Sequence, residues 1–240
     1  MRLKLIACEV LAREFYHLSA LSSHIIDIEL VTKDLHDYPE LLRHELQERI
    51  NRSNDGYEYI LLGYGLCGNA TAGLSSSIPL VIPRVHDCIS LYLGSKERYL
   101  EQFLSHPGTY YYSRGWLERR GNKERKDSIQ DAFLQELQFQ DLAMKYGEDN
   151  ARYLMEVMGG WQKKYNRAVF ISMEIGDEEE FKKYVASLAE ENGWSYEELK
   201  GSFSLLERFC NLNLDEEDFL IVPPGRQIHP SYNEKVIIAK

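Results

Sequence analysis

The chain has no run of about 18 consecutive apolar residues, so nothing in it reads as a membrane-spanning helix. A membrane partner is therefore not expected. It also lacks a basic excess. The 28 Lys and Arg residues stand against 38 Asp and Glu, giving a net charge of −10 and a pI near 5.3. The cations are scattered among acids, and the basic stripe that accompanies nucleic-acid binding is missing. Cysteine is scarce, with four in 240 residues and none in a C-x-x-C pair. That excludes a disulfide scaffold and makes the thiols candidates for packing, metal ligation or reactivity. There is no internal repeat, low-complexity tract or flexible linker. Glu9 and Glu14 interrupt the apolar N-terminal stretch, and no small-residue cleavage site follows, so residence in the cytoplasm is expected.

What is present is an alternation of short apolar runs with helical periodicity. Leu3–Ala7 reads as a buried strand and Val10–Leu21 as a helix. Ile25–Thr32 reads as a second strand, followed by a helix from Pro39 to Ile50 with Pro39 in its first turn. Asn54, Asp55 and Gly56 form a turn before the strand Tyr57–Leu62. Leu80–Pro83 is a further strand, followed by helical spacing through Ile89–Leu93 and Glu97–Leu104. Residues 107–126 read as a loop that closes over something and leaves the sheet. Residues 128–158 read as amphipathic helix, Ala168–Met173 as a strand, Glu178–Asn192 as a helix and Phe219–Val222 as a last strand. The pattern predicts an α/β fold, a mostly parallel sheet with helices on both faces (Rossmann-like), plus a helical excursion in the middle of the chain. We read 1–240 as one domain with a motif-bearing half at 1–116, a helical segment at 128–166 and a second β-α-β half at 167–240.

The chemistry sits just beyond the strand ends. Cys8 follows the first strand, Cys67 the third, and His86 with Cys88 the fourth. Side chains beyond the carboxyl ends of neighbouring parallel strands line a common crevice. Two residues apart on extended chain, His86 and Cys88 point the same way. Three thiolates and an imidazole suit zinc, and an iron–sulfur cluster with three cysteine ligands is an open alternative. Without a metal, Cys67 or Cys88 with His86 as base makes a nucleophile. The backbone N–H groups of the Gly65–Asn69 bend, including Gly68, would then offer an anion cradle, and bland core packing of all the thiols is the third reading. Arg84 would hold an anionic substrate, and Glu9 or Asp87 would orient a ligand or move protons. Tyr111 and Trp116, in the aromatic segment 110–116, would cover a small-molecule substrate. His36 is a neighbour of the site, whereas Cys210 has the helical spacing of a core residue.

Several segments together carry a resemblance: Ala7–Val10 (ACEV), Leu35-His36, Gly63–Gly68 (GYGLCG), Ile82–Ile89 (IPRVHDCI), Gly94-Ser95, Pro107–Tyr111 (PGTYY), Gly115-Trp116 and Val222–Gly225 (VPPG). In these the chain resembles the domain of unknown function 1638, a family of anaerobic bacteria and methanogenic archaea. The resemblance is dense from Leu3 to Trp116 and thinner to Gly225. It implies a setting in anaerobic one-carbon metabolism, beside corrinoid-dependent methyltransferase systems, where zinc would activate a thiol or a methylated small molecule. Whether such a protein is itself a catalyst or an accessory that holds a cofactor or small molecule stays open at this point.

Overall fold

In the computed structural model the described residues are 1–53, 55–119, 148, 165–231 and 233–240. The expected helical segment at 128–166 lies outside them, apart from 148, 165 and 166.

The first strand, β1 (Arg2–Cys8), begins with alternating exposure and ends fully buried, as the sequence RLKLIAC dictates. It runs through a 3-10 turn (Glu9–Leu11) into α1 (Ala12–Leu21). The strand β2 (Ile25–Val31) is followed by a second 3-10 turn (Lys33–Asp37), capped by the Thr32 hydroxyl. Helix α2 (Pro39–Arg52) starts on Pro39, whose missing N–H costs nothing at that position, and buries Leu42, Leu46 and Ile50 one turn apart. After β3 (Tyr59–Gly63) and β4 (Leu80–Pro83) come α3 (Cys88–Leu93) and α4 (Lys96–Ser105). The side chains of Asp87 and Ser95 cap these two helices, and Gly94, at φ 82°, separates them.

The central sheet has the order β2-β1-β3-β4-β8, with β8 at Phe219–Val222. The first four strands pair in parallel, Cys8 beside Val31 and Ala7 beside Gly63. Only β8 is antiparallel, placing Val222 against Leu80. The fold is thus mixed α/β around a mostly parallel central sheet. Its apolar side chains lock to the helices through Phe15, Phe209 and Phe219, with ring centroids 6.3 Å apart for the first pair and 6.0 Å for the second. Phe209 belongs to α7 (Ser204–Cys210), and Cys210 beside it is fully buried.

The second half departs from the expectation of one sheet. The strands β5 (Thr109–Ser113), β6 (Arg167–Ser172) and β7 (Ser195–Lys200) make a separate three-stranded parallel sheet. Helix α6 (Glu179–Asn192) packs on it through Val185 and Ala189, which join Phe170 in a second core. The stretch 109–118, expected as loop, is β5 followed by the short helix α5 (Arg114–Glu118). A ribbon of β9 (Ile228–Pro230) and β10 (Ile237–Ala239) closes the chain.

Candidate functional site

The strand order reverses between β1 and β3, because the chain steps from β1 to one side and from β2 back across to the other. Crevices form at such a reversal, outside the carboxyl ends of the strands. Cys8 is the last residue of β1, and Cys67 lies four residues past the end of β3. The Cys8 thiol meets not His86 but His36, with Sγ and Nε2 3.3 Å apart. The imidazole in turn stacks on Tyr64, with centroids 6.0 Å apart and ring planes 23° from parallel. Tyr64 is 1% exposed, and its hydroxyl, close enough to Cys8 to favour the thiolate, completes no hydrogen bond.

Electrostatics keep the sulfurs protonated. Burial pushes the Cys8 thiol up to about 11, with the Glu9 carboxylate adding to the rise and the Val10 backbone, Lys33 and Tyr64 opposing it. Burial likewise takes Cys67 to about 12 and Cys88 well above its ordinary value. Cys8, Cys67 and Cys88 lie within electrostatic reach of one another, each resisting ionisation of the next.

His86 does not join them. The extended run expected over residues 86–88 ends at Asp87, whose side chain accepts from the Ile89 N–H at 3.0 Å and starts α3. Entering a helix turns Cys88 inward while His86 stays exposed. Among the described residues no group of three or more His, Cys, Asp or Glu is arranged to hold a metal ion. Two donors meet at Cys8 and His36, whereas a zinc centre draws three or four protein ligands. As arranged, the residues do not fit zinc or an iron–sulfur cluster.

The other sequence candidates have defined places. Arg84 is buried and donates from Nε to the Phe219 carbonyl and from Nη1 to the carbonyls of Lys235 and Ile237. It clamps the C-terminal segment where an anion clamp was expected. Glu9 accepts from the Lys33 N–H at 2.9 Å and the Thr32 hydroxyl at 3.1 Å, and lies 3.6 Å from Arg119. It ties the end of β2 to the end of β1. Burial raises the Asp87 carboxyl against its cap bonds and the Tyr99 hydroxyl, which favour the charged form.

The glycine bend is tight for a reason other than an anion. A Cβ on Gly65 would stand 2.7 Å from the Val85 carbonyl oxygen and 2.8 Å from the Asp87 nitrogen. The Leu66 and Cys67 N–H groups donate to the carbonyls of Val85 and His86, at 2.9 and 2.8 Å. They are thereby committed to the neighbouring loop. Cys67 itself takes the left-handed φ of 46°, followed by Gly68 and Asn69 at 64° and 69°. Gly68 and Asn69 are exposed, and the Asn69 carbonyl accepts from Arg43.

Tyr111 and Trp116 line a cavity of about 330 Å³ between α3, α4 and the second sheet, with Cys88 in its wall. The Lys33 ammonium lies 4.7 Å from the centre of the Trp116 ring and is also near enough to Cys8 to favour its thiolate. Sequence reasoning missed Lys33, Tyr64, Tyr92 and Tyr99. Tyr64 had a signal, its place between two glycines directly after β3, whereas Tyr92 and Tyr99 are at ordinary helix positions.

No curated protein and no solved structure matches the chain. A family model described as a protein of unknown function (DUF1638) matches residues 30–210, the span that holds α2, the glycine bend, the Cys88 helix and the aromatic segment 110–116. Covering well over half of the sequence, that match shows that the chain belongs to the DUF1638 family.

Proposed function

We propose that the protein uses the Cys8 thiol, with His36 taking its proton, for group transfer to or from a small molecule at the carboxyl edge of the central sheet. The observation that carries the reading is the 3.3 Å contact between Cys8 Sγ and His36 Nε2 at the reversal of strand order. A thiol held neutral by burial needs a base at the moment of attack, and an imidazole in contact with it meets that need. The Tyr64 hydroxyl supports the reading, because it lies buried beside Cys8 and favours the thiolate form. We further propose a Rossmann-like, doubly wound arrangement with helices on both faces, which is the architecture that gathers such a crevice. The family resemblance adds the setting: cytoplasmic one-carbon or methyl-transfer metabolism, beside a corrinoid methyltransferase system.

The test is alkylation of protein purified without oxygen, with peptide mapping and elemental analysis on the same sample. Cys8 is expected to react with iodoacetamide at neutral pH at least tenfold faster than Cys210, and His36→Asn to remove that advantage. Equal rates for Cys8 and Cys210 would sink the idea. Near-stoichiometric zinc or iron, lost in Cys8→Ser, would replace it with the metal centre that the sequence pattern suggests.

A further inference from the structure

Helix α4 has an amphipathic sequence, yet it buries none of its residues. Leu100, Phe103 and Leu104 recur at i, i+3 and i+4, which puts them on one face, and they are 54%, 50% and 70% exposed. That face continues into a groove of about 580 Å³ between α4 and the C-terminal segment. Val85 and Val236, both buried, give the groove an apolar floor, and Leu100 and Phe103 stand along its side. Among the described lining residues the charged groups are Glu97, Glu217 and Glu234 against Lys96. The Lys96 ammonium lies 3.9 Å from both Glu97 and Glu217, so its one charge is shared between two carboxylates. Arg98, the other cation of the helix, is engaged by the carbonyls of Leu93 and Lys200. Glu101, exposed one turn after Glu97, extends the acidic margin along the helix.

An exposed apolar stripe with a polar rim marks a surface of association, and here the rim charge selects the occupant. A small molecule held in the groove would leave Leu104, which lies outside it, uncovered. A second copy of the chain would set the same patch against itself across a two-fold axis. Two acidic rims, on chains of net charge −10, would then crowd into one contact, and like charge opposes that pairing. Nucleic acid and anionic lipid are repelled for the same reason. A helix with apolar residues at the spacing of α4 can lie beside it with side chains interlocked, and Lys or Arg at its margins would meet the carboxylates. We infer that the α4 face and its groove dock a basic amphipathic helix of a partner protein. Its apolar stripe covers Leu100, Phe103 and Leu104, and its cations face Glu97, Glu217 and Glu234. The inference is independent of the thiol chemistry proposed for Cys8.

The experiment is fluorescence anisotropy of labelled synthetic peptides titrated with the full chain at physiological ionic strength, where loose charge attraction is screened. The probes are an amphipathic helix of Leu and Lys, a peptide of the same composition in scrambled order, and a Leu and Glu helix of the same pattern. The Leu and Lys helix is expected to bind about tenfold tighter than either control. Combining Glu97→Lys, Glu217→Lys and Glu234→Lys should weaken it by about tenfold or more, whereas Glu48→Lys, Glu190→Lys and Glu191→Lys together, an equal change of charge at exposed positions elsewhere, should move it by less than about twofold. Leu100→Ser with Leu104→Ser should also weaken it by about tenfold while keeping the thermal transition of the wild type, since both side chains are exposed. Equal losses in the two charge variants overturn the inference, as does equal binding of the scrambled peptide or no binding to folded wild type. A wild-type dimer in sedimentation equilibrium that Leu100→Ser with Leu104→Ser disperses gives the face to a second copy and overturns it as well. Cys8→Ser should leave peptide affinity unchanged, so failure of the thiol reading and failure of this one are separately visible.

Discussion

Glu14 is 3% exposed on α1, and its Oε2 has no hydrogen-bond partner. Arg13, the adjacent cation, directs its guanidinium to Glu118 at 2.7 Å. Burial pushes the Glu14 carboxyl from 4.5 up to about 7, with Glu178 and Glu118 adding to the rise and a backbone bond and Arg13 opposing it. The fold therefore favours the protonated acid. Its stabilising contribution is complete below the unfolded value of 4.5 and is lost as pH rises through about 7. At about 1.4 kcal/mol per pH unit over that interval, the loss by pH 8.5 is about 3 kcal/mol. Against the ~5–15 kcal/mol typical of a folded domain this is a large share. Urea denaturation of the wild type and Glu14→Gln from pH 4.5 to 8.5 reads it directly. The amide cannot ionise, so the variant should gain on the wild type progressively with pH, by about 3 kcal/mol at the top of the range. A difference between the two proteins that stays constant with pH would refute the reasoning.

Arg84→Met should lower the urea midpoint by the equivalent of about 2–4 kcal/mol, because three carbonyls of the C-terminal segment lose their buried donor. Gly65→Ala drives a methyl into the backbone of Val85–Asp87 and should cost about 2 kcal/mol or more. Gly73→Ala, where nothing approaches but φ is +84°, should cost only about 1 kcal/mol in the same assay. Tyr64→Phe removes an unpartnered buried hydroxyl and should be neutral or stabilising by up to about 1 kcal/mol in ligand-free protein, read as an unchanged or raised melting temperature.

Most of the central sheet was legible because its strands are apolar runs punctuated by glycine and proline. Leu80–Pro83 and Tyr59–Gly63 are buried and have no competing helical period. The second sheet was harder. The strand β7, SYEELK, is a solvent-facing edge with no apolar alternation to declare it, and TYYYS in β5 reads as a loop because glycine, proline and serine surround it. At the site, placement just after strand ends named Cys8, Cys67 and Cys88, which lie within electrostatic reach of one another. It mistook His86, because a two-residue spacing predicts a shared direction only while the chain stays extended, and the Asp87 cap ends that extension. His36 was visible as a neighbour, yet its contact with Cys8 depends on the turn after β2, which residue spacing does not specify.

The bonds from Leu66 and Cys67 to Val85 and His86 have a mechanical consequence. With Gly65 packed directly on the same backbone, the loops after β3 and β4 are zipped into one rigid plate. Cys67 rides on one half of this plate, and the start of α3 with Cys88 is hinged to the other. A displacement of the loop before α3 would therefore be felt at Cys67 through those two bonds. For any reversible event at Cys67 the coupling would run both ways, since linkage between two equilibria is reciprocal.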